Sequence, residues 1–227
     1  MTMTNEGAAV TAESIYANTL DNSARFLLGT EGENPLIVVG VNPSTAAPGD
    51  LDLTVTKVTE FARRNDFDSW VMLNLYPQRS TDPTGMHDVL DPALQAENER
   101  HIAAFINGRP LTILAAWGEL MDSRPYLPTL LAGILTLPEL SGCTWMSIDE
   151  LTATGHPRHP SRAGYDWPLR PFDVVPYLAI VTARAEAKAK RRAGRAATLP
   201  GHEPHAAANT LLAPGVVAGG QQRIPMQ

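Results

Sequence analysis

A chain of 227 residues that is 44% hydrophobic and 19% charged can bury one ordinary core with some chain to spare. No apolar run reaches the roughly 18 residues that span a bilayer, and a single cysteine, Cys143, excludes an intrachain disulfide and a cysteine-built zinc site. Charge is uneven: residues 1–183 hold 11 Lys+Arg against 22 Asp+Glu, residues 184–227 hold seven against two, and together they give the net −6. Such an acidic body argues against a broad nucleic-acid groove, whose affinity comes from neutralising phosphates, but leaves the basic arm or a local patch to touch a polyanion.

The opening MTMTNEGAAVTAES lacks the basic and apolar regions of a secretory signal; the expected location is cytoplasmic, without a membrane partner, and residues 1–20 are expected to be flexible. RFLLG (25–29) reads as a short edge strand. PLIVVGV (35–41) is an unbroken apolar run, as in a strand buried on both faces. Leu51, Val55, Val58 and Ala62 fall at helical spacing and predict a helix over 52–66. SWVMLNLY (69–76) is a second buried strand. Asp91 as N-cap and Pro92 at the first helical position open a helix that stops at Gly108, with Leu94, Asn98, His101, Ile102 and Phe105 on one face. LTILAAWG (111–118) is a third strand, YLPTLLAGILTL (126–137) a helix, and CTWMSI (143–148) a fourth strand. A last helix begins near Pro176, with Leu178 and Val181 turned inward. Beyond about 195 the sequence loses periodicity and is expected to be disordered. The predicted organisation is therefore a single α/β domain over 21–183, followed by a basic helix end and a tail over 184–227.

Alternating strands and helices with continuous apolar strands predict a three-layer αβα sandwich around a mostly parallel sheet. Ligands of such sheets bind beyond the carboxyl ends of the strands, and those ends are chemically capable. The first runs into Asn42, Pro43, Ser44 and Thr45, the second into NLYPQRSTDP, the third into WGELMDSRP, the fourth into DELTATGHPRHPSRAGYDWP. Asn42 offers both an acceptor and donors for a water or a ligand edge, or else caps its own loop. Ser44 and Thr45 either bind phosphate or cap the following helix. Asn74 interrupts a buried run, and its amide must find partners in neighbouring loops or in a ligand. Arg79 suits a phosphate or carboxylate, with a salt bridge to Asp82 or Asp88 as the alternative. His156 and His159 are three apart, but Pro157 and Pro160 prevent the helix that would align them on a metal, and no partner completes a site. A histidine in a proline-stiffened loop can instead stabilise a developing anion or transfer a proton. Arg158, Ser161 and Arg162 make its surroundings the one local basic stretch of the body. No motif implies a cofactor.

The ordered set RFLLG, PLIVVGVNPSTA, WVMLNLYPQRSTDP, ILAAWG and GHPRHP resembles a bacterial and phage family known only as domain of unknown function 1643. More distantly, the same order is similar to the uracil-DNA glycosylase superfamily. GVNP (40–43) matches its first motif, VMLN (71–74) a strand ending in a base-reading Asn, Trp117-Gly118 a third strand end, and His159-Pro160-Ser161 its late His-Pro-Ser loop. The first loop has Asn42 where the strongest glycosylases carry a carboxylate, and only Tyr76, from the next strand, is at hand to stack on a base. The resemblance implies a uracil-DNA-glycosylase-like fold and a nucleic-acid or nucleotide partner. It also implies Asn42 as the residue orienting water, Asn74 as reader of the base edge, and His159 as stabiliser of the leaving base. Pro43, Ser44 and Arg79 would line the substrate, and Arg158, Ser161 and Arg162 would contact flanking phosphates. Three activities stay open: a nucleobase N-glycosidase, a non-catalytic nucleic-acid or nucleotide-binding module, and another nucleotide-modifying enzyme on the same fold.

Overall fold

The computed structural model describes residues 13–198. Seven strands form one sheet, β1 (Ser14–Asn18), β2 (Arg25–Thr30), β3 (Pro35–Gly40), β4 (Ser69–Asn74), β5 (Thr112–Ala115), β6 (Thr144–Ile148) and β7 (Leu169–Pro171). Their spatial order is β1-β2-β4-β3-β5-β6-β7. The four central strands run parallel, with Gly40 opposite Asn74 and Val39 opposite Leu73 and Ala115. The outer strands β1, β2 and β7 pair antiparallel. β3 and β4 are buried along their whole length, as their unbroken apolar runs require of strands covered on both faces.

Four helices cover the sheet: α1 (Leu53–Arg64), α2 (Pro92–Ile106), α3 (Leu127–Leu135) and α4 (Val174–Thr198). One face packs Leu36, Val38, Trp70 and Met72 against Val55, Val58 and Phe61 of α1. The other packs Ile37, Val39, Val71 and Leu73 with Ile102 of α2, Leu130 of α3, and Tyr177 and Val181 of α4. The mixed α/β sandwich with a mostly parallel sheet is thus as expected. Local signals explain the helix ends. Asp52 accepts the Val55 amide at 2.9 Å to cap α1, and Leu51, expected on the buried stripe, lies before that cap and is exposed. Asp91 caps α2 through the Ala93 and Leu94 amides, and Asn107, in left-handed conformation, ends it just before Gly108.

Two expectations are corrected, and one strand is added. RFLLG is not an edge, because Ser14–Asn18, inside the stretch expected to be a flexible arm, pairs outside it. Leu169–Pro171, between the expected loop ending at Pro168 and the helix expected near Pro176, adds an antiparallel strand where no element was assigned. α4 starts at Val174 and runs to Thr198, past the residue where order was expected to end; the rest of the expected tail lies outside the described residues. Among those residues no helix is long and apolar enough to cross a membrane.

Candidate functional site

Because β3, β4, β5 and β6 run parallel, the loops after them share the carboxyl edge of the sheet. The chain leaves β3 toward α1 on one face and leaves β5 toward α3 on the other. β3 and β5 are neighbours, so the chain turns to opposite faces after them, and the edge between two such strand ends is the usual ligand position in these sheets.

The first loop is tied to its surroundings by its polar residues. The Asn42 amide donates to the carbonyls of Pro43 at 3.1 Å and Ser80 at 2.9 Å, and Ser80 N–H donates to Pro43 O. Asn42 therefore clamps the β3 and β4 loops together, leaving its own carbonyl oxygen for other use. Ser44 donates to the Asp52 carboxylate at 2.5 Å, which joins the loop to the cap of α1. Thr45 is exposed.

Asn74 ends β4 with 1% of its surface exposed, and its amide nitrogen has no hydrogen-bond partner. The surrounding backbone is served by other groups: Asn98 of α2 donates to the carbonyls of Asn74 at 2.9 Å and Leu75 at 3.3 Å. Neighbouring loops therefore leave the buried donor open, at a cost of about 1–3 kcal/mol. The amide stands over Gly40, where an added Cβ would come within 3.2 Å of Asn74 Oδ1. The glycine of the Gly-Val-Asn-Pro run makes room for it.

The two histidines of the β6–β7 loop separate. His156 is fully buried on the α4 face. Trp117 Nε1–H donates to the Tyr177 hydroxyl at 2.8 Å. The Asp122 carboxylate can only accept, so His156 Nε2–H donates to it at 3.2 Å. The tautomer with its proton on Nε2 leaves Nδ1 to accept from the Tyr177 hydroxyl 2.8 Å away. Arg184 Nη1 lies 3.4 Å from the same Nε2. Both ring nitrogens are in use. Burial pushes the Tyr177 hydroxyl well above its ordinary range, so it stays a donor.

His159 lies beside the β5 loop. A Cβ on Gly118 would stand 3.3 Å from His159 Cβ, and Gly118 itself has a φ of 57°, so a side chain there would be both crowded and strained. His159 Nδ1 accepts the Ser161 backbone N–H at 3.3 Å and therefore carries no proton. The Ser161 hydroxyl donates to the same nitrogen at 2.8 Å. The ring proton sits on Nε2, assigned from this bonding pattern, and Nε2 has no hydrogen-bond partner among the described residues. Burial lowers the His159 pKa below its ordinary 6.5, Asp52 opposes this and Arg162 adds to it, so the ring is a neutral donor at pH 7. Lys57 fixes this loop to α1 by donating to the carbonyls of Ala163 at 2.6 Å and Ser161 at 3.3 Å. With the rings committed on different faces, the pair does not form a metal site, and among the described residues no group of three His, Cys, Asp or Glu is placed to hold one.

Other expected site residues serve the scaffold. Arg79 makes no salt bridge with Asp82 or Asp88; its guanidinium donates to Ser44 O at 2.6 Å and to the Tyr16 hydroxyl at 2.5 Å, holding the first loop. Tyr76 has 0% exposure in the core on the α2 and α3 face, with its hydroxyl bound to His87 at 2.7 Å and to the Asp91 amide. It has no free face to stack on a base. Arg158 donates to Glu150 O at 2.7 Å and lies over the Trp167 ring, while Arg162 is exposed.

Two residues carry no clear signal in the sequence. Arg25 is 2% exposed and donates to Ala46 O at 2.8 Å, with its Nε unpartnered. Burial, and then the charge of Arg79, pull its guanidinium down to about 10. An Arg heading an apolar strand is its only mark. Asp52 is visible as a helix cap, but nothing local shows that its carboxylate stands close enough to His159 to act on its charge.

The class is thus an α/β sandwich with an amide and an imidazole left open at the carboxyl edge of its parallel strands. The chain belongs to the family described as protein of unknown function DUF1643, whose model matches residues 25–161. That span runs from Arg25 to Ser161 and holds Asn42, Asn74, Trp117 and His159. No curated protein and no solved structure matches the chain.

Proposed function

We propose that this chain is a nucleobase N-glycosidase-like enzyme on a uracil-DNA-glycosylase-like fold, acting on a base in DNA or in a nucleotide. The observation that carries the reading is the Asn74 amide, a buried donor without a partner at the carboxyl end of β4. A base edge supplies the acceptor that the protein withholds. Hydrolysis of a glycosidic bond gives the water hydroxyl to the sugar and a proton to the base, and it builds negative charge on the departing base. A neutral His159 with its proton on Nε2 can donate to that charge as it develops. The Asn42 carbonyl orients the water, and Asp52 offers a carboxylate to the positive sugar. Pro43 and Ser44 line the first loop, and exposed Arg162 is the cation best placed for a flanking phosphate. A base in a duplex must be flipped out to reach such a site, whereas a free nucleotide need not be.

The test is base release by purified protein from DNA carrying assorted modified bases and from free nucleotides. At least one substrate should give free base, and His159→Ala should lower turnover about 10²–10³-fold with affinity changed only a few-fold, since the contact strengthens in the transition state. Binding without release across the whole panel would remove the glycosidase. It would leave a nucleotide-binding module, which the commitment of the Asn42 amide and the Ser44 hydroxyl to the scaffold favours.

A further inference from the structure

α4 is a 25-residue helix of which only the first turns are held by the core. Val174, Tyr177 and Val181 are buried, and no residue described after Val181 is. The projecting part keeps its helix through alanine-rich sequence, and between 184 and 195 it carries six Lys and Arg against Glu186 alone. Arg184, Lys188, Arg191 and Arg195 recur at intervals of four, three and four, so they share one face. That stripe is about 16 Å long at 1.5 Å per residue. It borders a groove of about 1120 Å³ whose other wall is the loop Met121–Pro125. Among the described residues, no cation of the stripe has a carboxylate within 4.0 Å.

The groove adjoins the site through two shared loops. Arg184 donates to Thr154 O at 2.8 Å, in the loop that carries His159, and Lys188 donates to Asp122 O at 3.1 Å. Asp122 closes the 3₁₀ turn Gly118–Asp122 that begins against His159. A single small anion cannot span a stripe of this length, whereas a chain of phosphates can. The helix lacks the Trp, Phe and Leu face by which an interfacial helix enters a membrane, and the acidic body repels a polyanion elsewhere. We infer that the α4 groove binds the sugar-phosphate backbone of a nucleic acid strand running on from the carboxyl-edge site, so that the substrate is a polymer rather than a free nucleotide. This rests on the base-handling reading of that site.

The test compares the parent chain with the triple variant Arg191→Ala, Arg192→Ala, Arg195→Ala. None of the three side chains bonds beyond its own helix, and alanine preserves the helix. Binding of a labelled 20-nucleotide single strand, of its duplex and of a free mononucleotide is measured over a salt series. For the single strand, the slope of log affinity against log salt should lessen by about 0.7 for each phosphate that is no longer neutralised, roughly two in all, and affinity at low salt should fall at least tenfold. Mononucleotide binding and the His159→Ala effect should be untouched. Equal strand affinity in parent and variant, or displacement of the strand by polyglutamate as readily as by DNA, overturns the groove. A parent that binds the strand through these arginines but binds no mononucleotide and releases no base supports the groove and overturns the site reading instead.

Discussion

His156 and His159 are three residues apart in one proline-stiffened loop, yet they end in opposite chemical situations. His156 is closed. Its two nitrogens meet Tyr177 and Asp122, and Trp117 completes the chain of donors. His159 is open. Its Nδ1 is occupied by Ser161, and its Nε2–H has no acceptor among the described residues. Sequence proximity therefore says nothing about shared role here. A buried polar group with every bond made rigidifies the fold, and one with a bond left over at the carboxyl edge of the sheet is a place for a ligand to bind. Asn74 belongs with His159 on the open side, whereas Asn98 is mixed: its amide donates to two carbonyls, and its buried Oδ1 has no partner.

The sharpest way to break this comparison is to remove the closed member. His156→Ala strips the Tyr177 hydroxyl of its acceptor and Asp122 of its donor, and it leaves a cavity beside the Tyr177 ring. The expected loss is about 3 kcal/mol, lowering Tm by roughly 6–12 °C in a chain of this size. His159→Ala should cost less than about 1 kcal/mol, because its ring bonds only within its own turn. Thermal unfolding of both variants checks the pair; equal losses would mean that the two histidines do the same structural work.

How much of this contrast is legible in the sequence follows from range. β3 and β4 announce themselves because continuous apolar runs of strand length have few alternatives, and their parallel pairing follows from the helices between them. β1 and β7 escape because edge strands are half exposed and carry no such run; Leu169–Pro171 is only three residues long. The carboxyl-edge loops can be named, since strand direction places them. Which way each ring turns cannot, because it depends on groups far along the chain: His156 on Tyr177, and His159 on Gly118 and Asp52. Arg79 reads as an anion binder for the same reason. Its carbonyl partners at Ser44 and Ala46 are more than 30 residues away, and the Ala46 carbonyl that buried Arg25 shares with it lies 21 residues from Arg25. Asn74 is the exception: a polar residue inside an apolar run is visible locally, and only the absence of its partner needs the fold.

Asn74→Leu sharpens the open side. Replacing an unpartnered buried amide by an apolar group of similar volume removes a desolvation cost and loses no bond, so stability should hold or rise by up to about 1 kcal/mol. Ligand selectivity should be damaged at the same time. Denaturant unfolding of the variant measures the first part. A loss of about 2 kcal/mol or more would show that the amide has a protein partner after all, and Asn74 would move to the closed side with His156.

The smallest effect is the most specific to His159. Burial holds its pKa below 6.5, with Arg162 helping and Asp52 opposing. Between the folded value and 6.5 the unfolded chain carries a proton that the folded ring does not. Stability from this group is therefore full above pH 6.5 and is lost as pH falls through 6.5 to below the folded value. His159→Gln keeps a polar side chain and removes the titration. The stability of the parent minus that of the variant, from unfolding curves between about pH 8 and pH 5, should therefore decline toward acid. His101, also lowered by burial, is common to both proteins and cancels in the difference. The opposite slope would mean that the Asp52 carboxylate outweighs burial and the folded ring takes up a proton. His159 would then meet a departing base as an imidazolium, and the neutral donor that separates it from its closed neighbour would be gone.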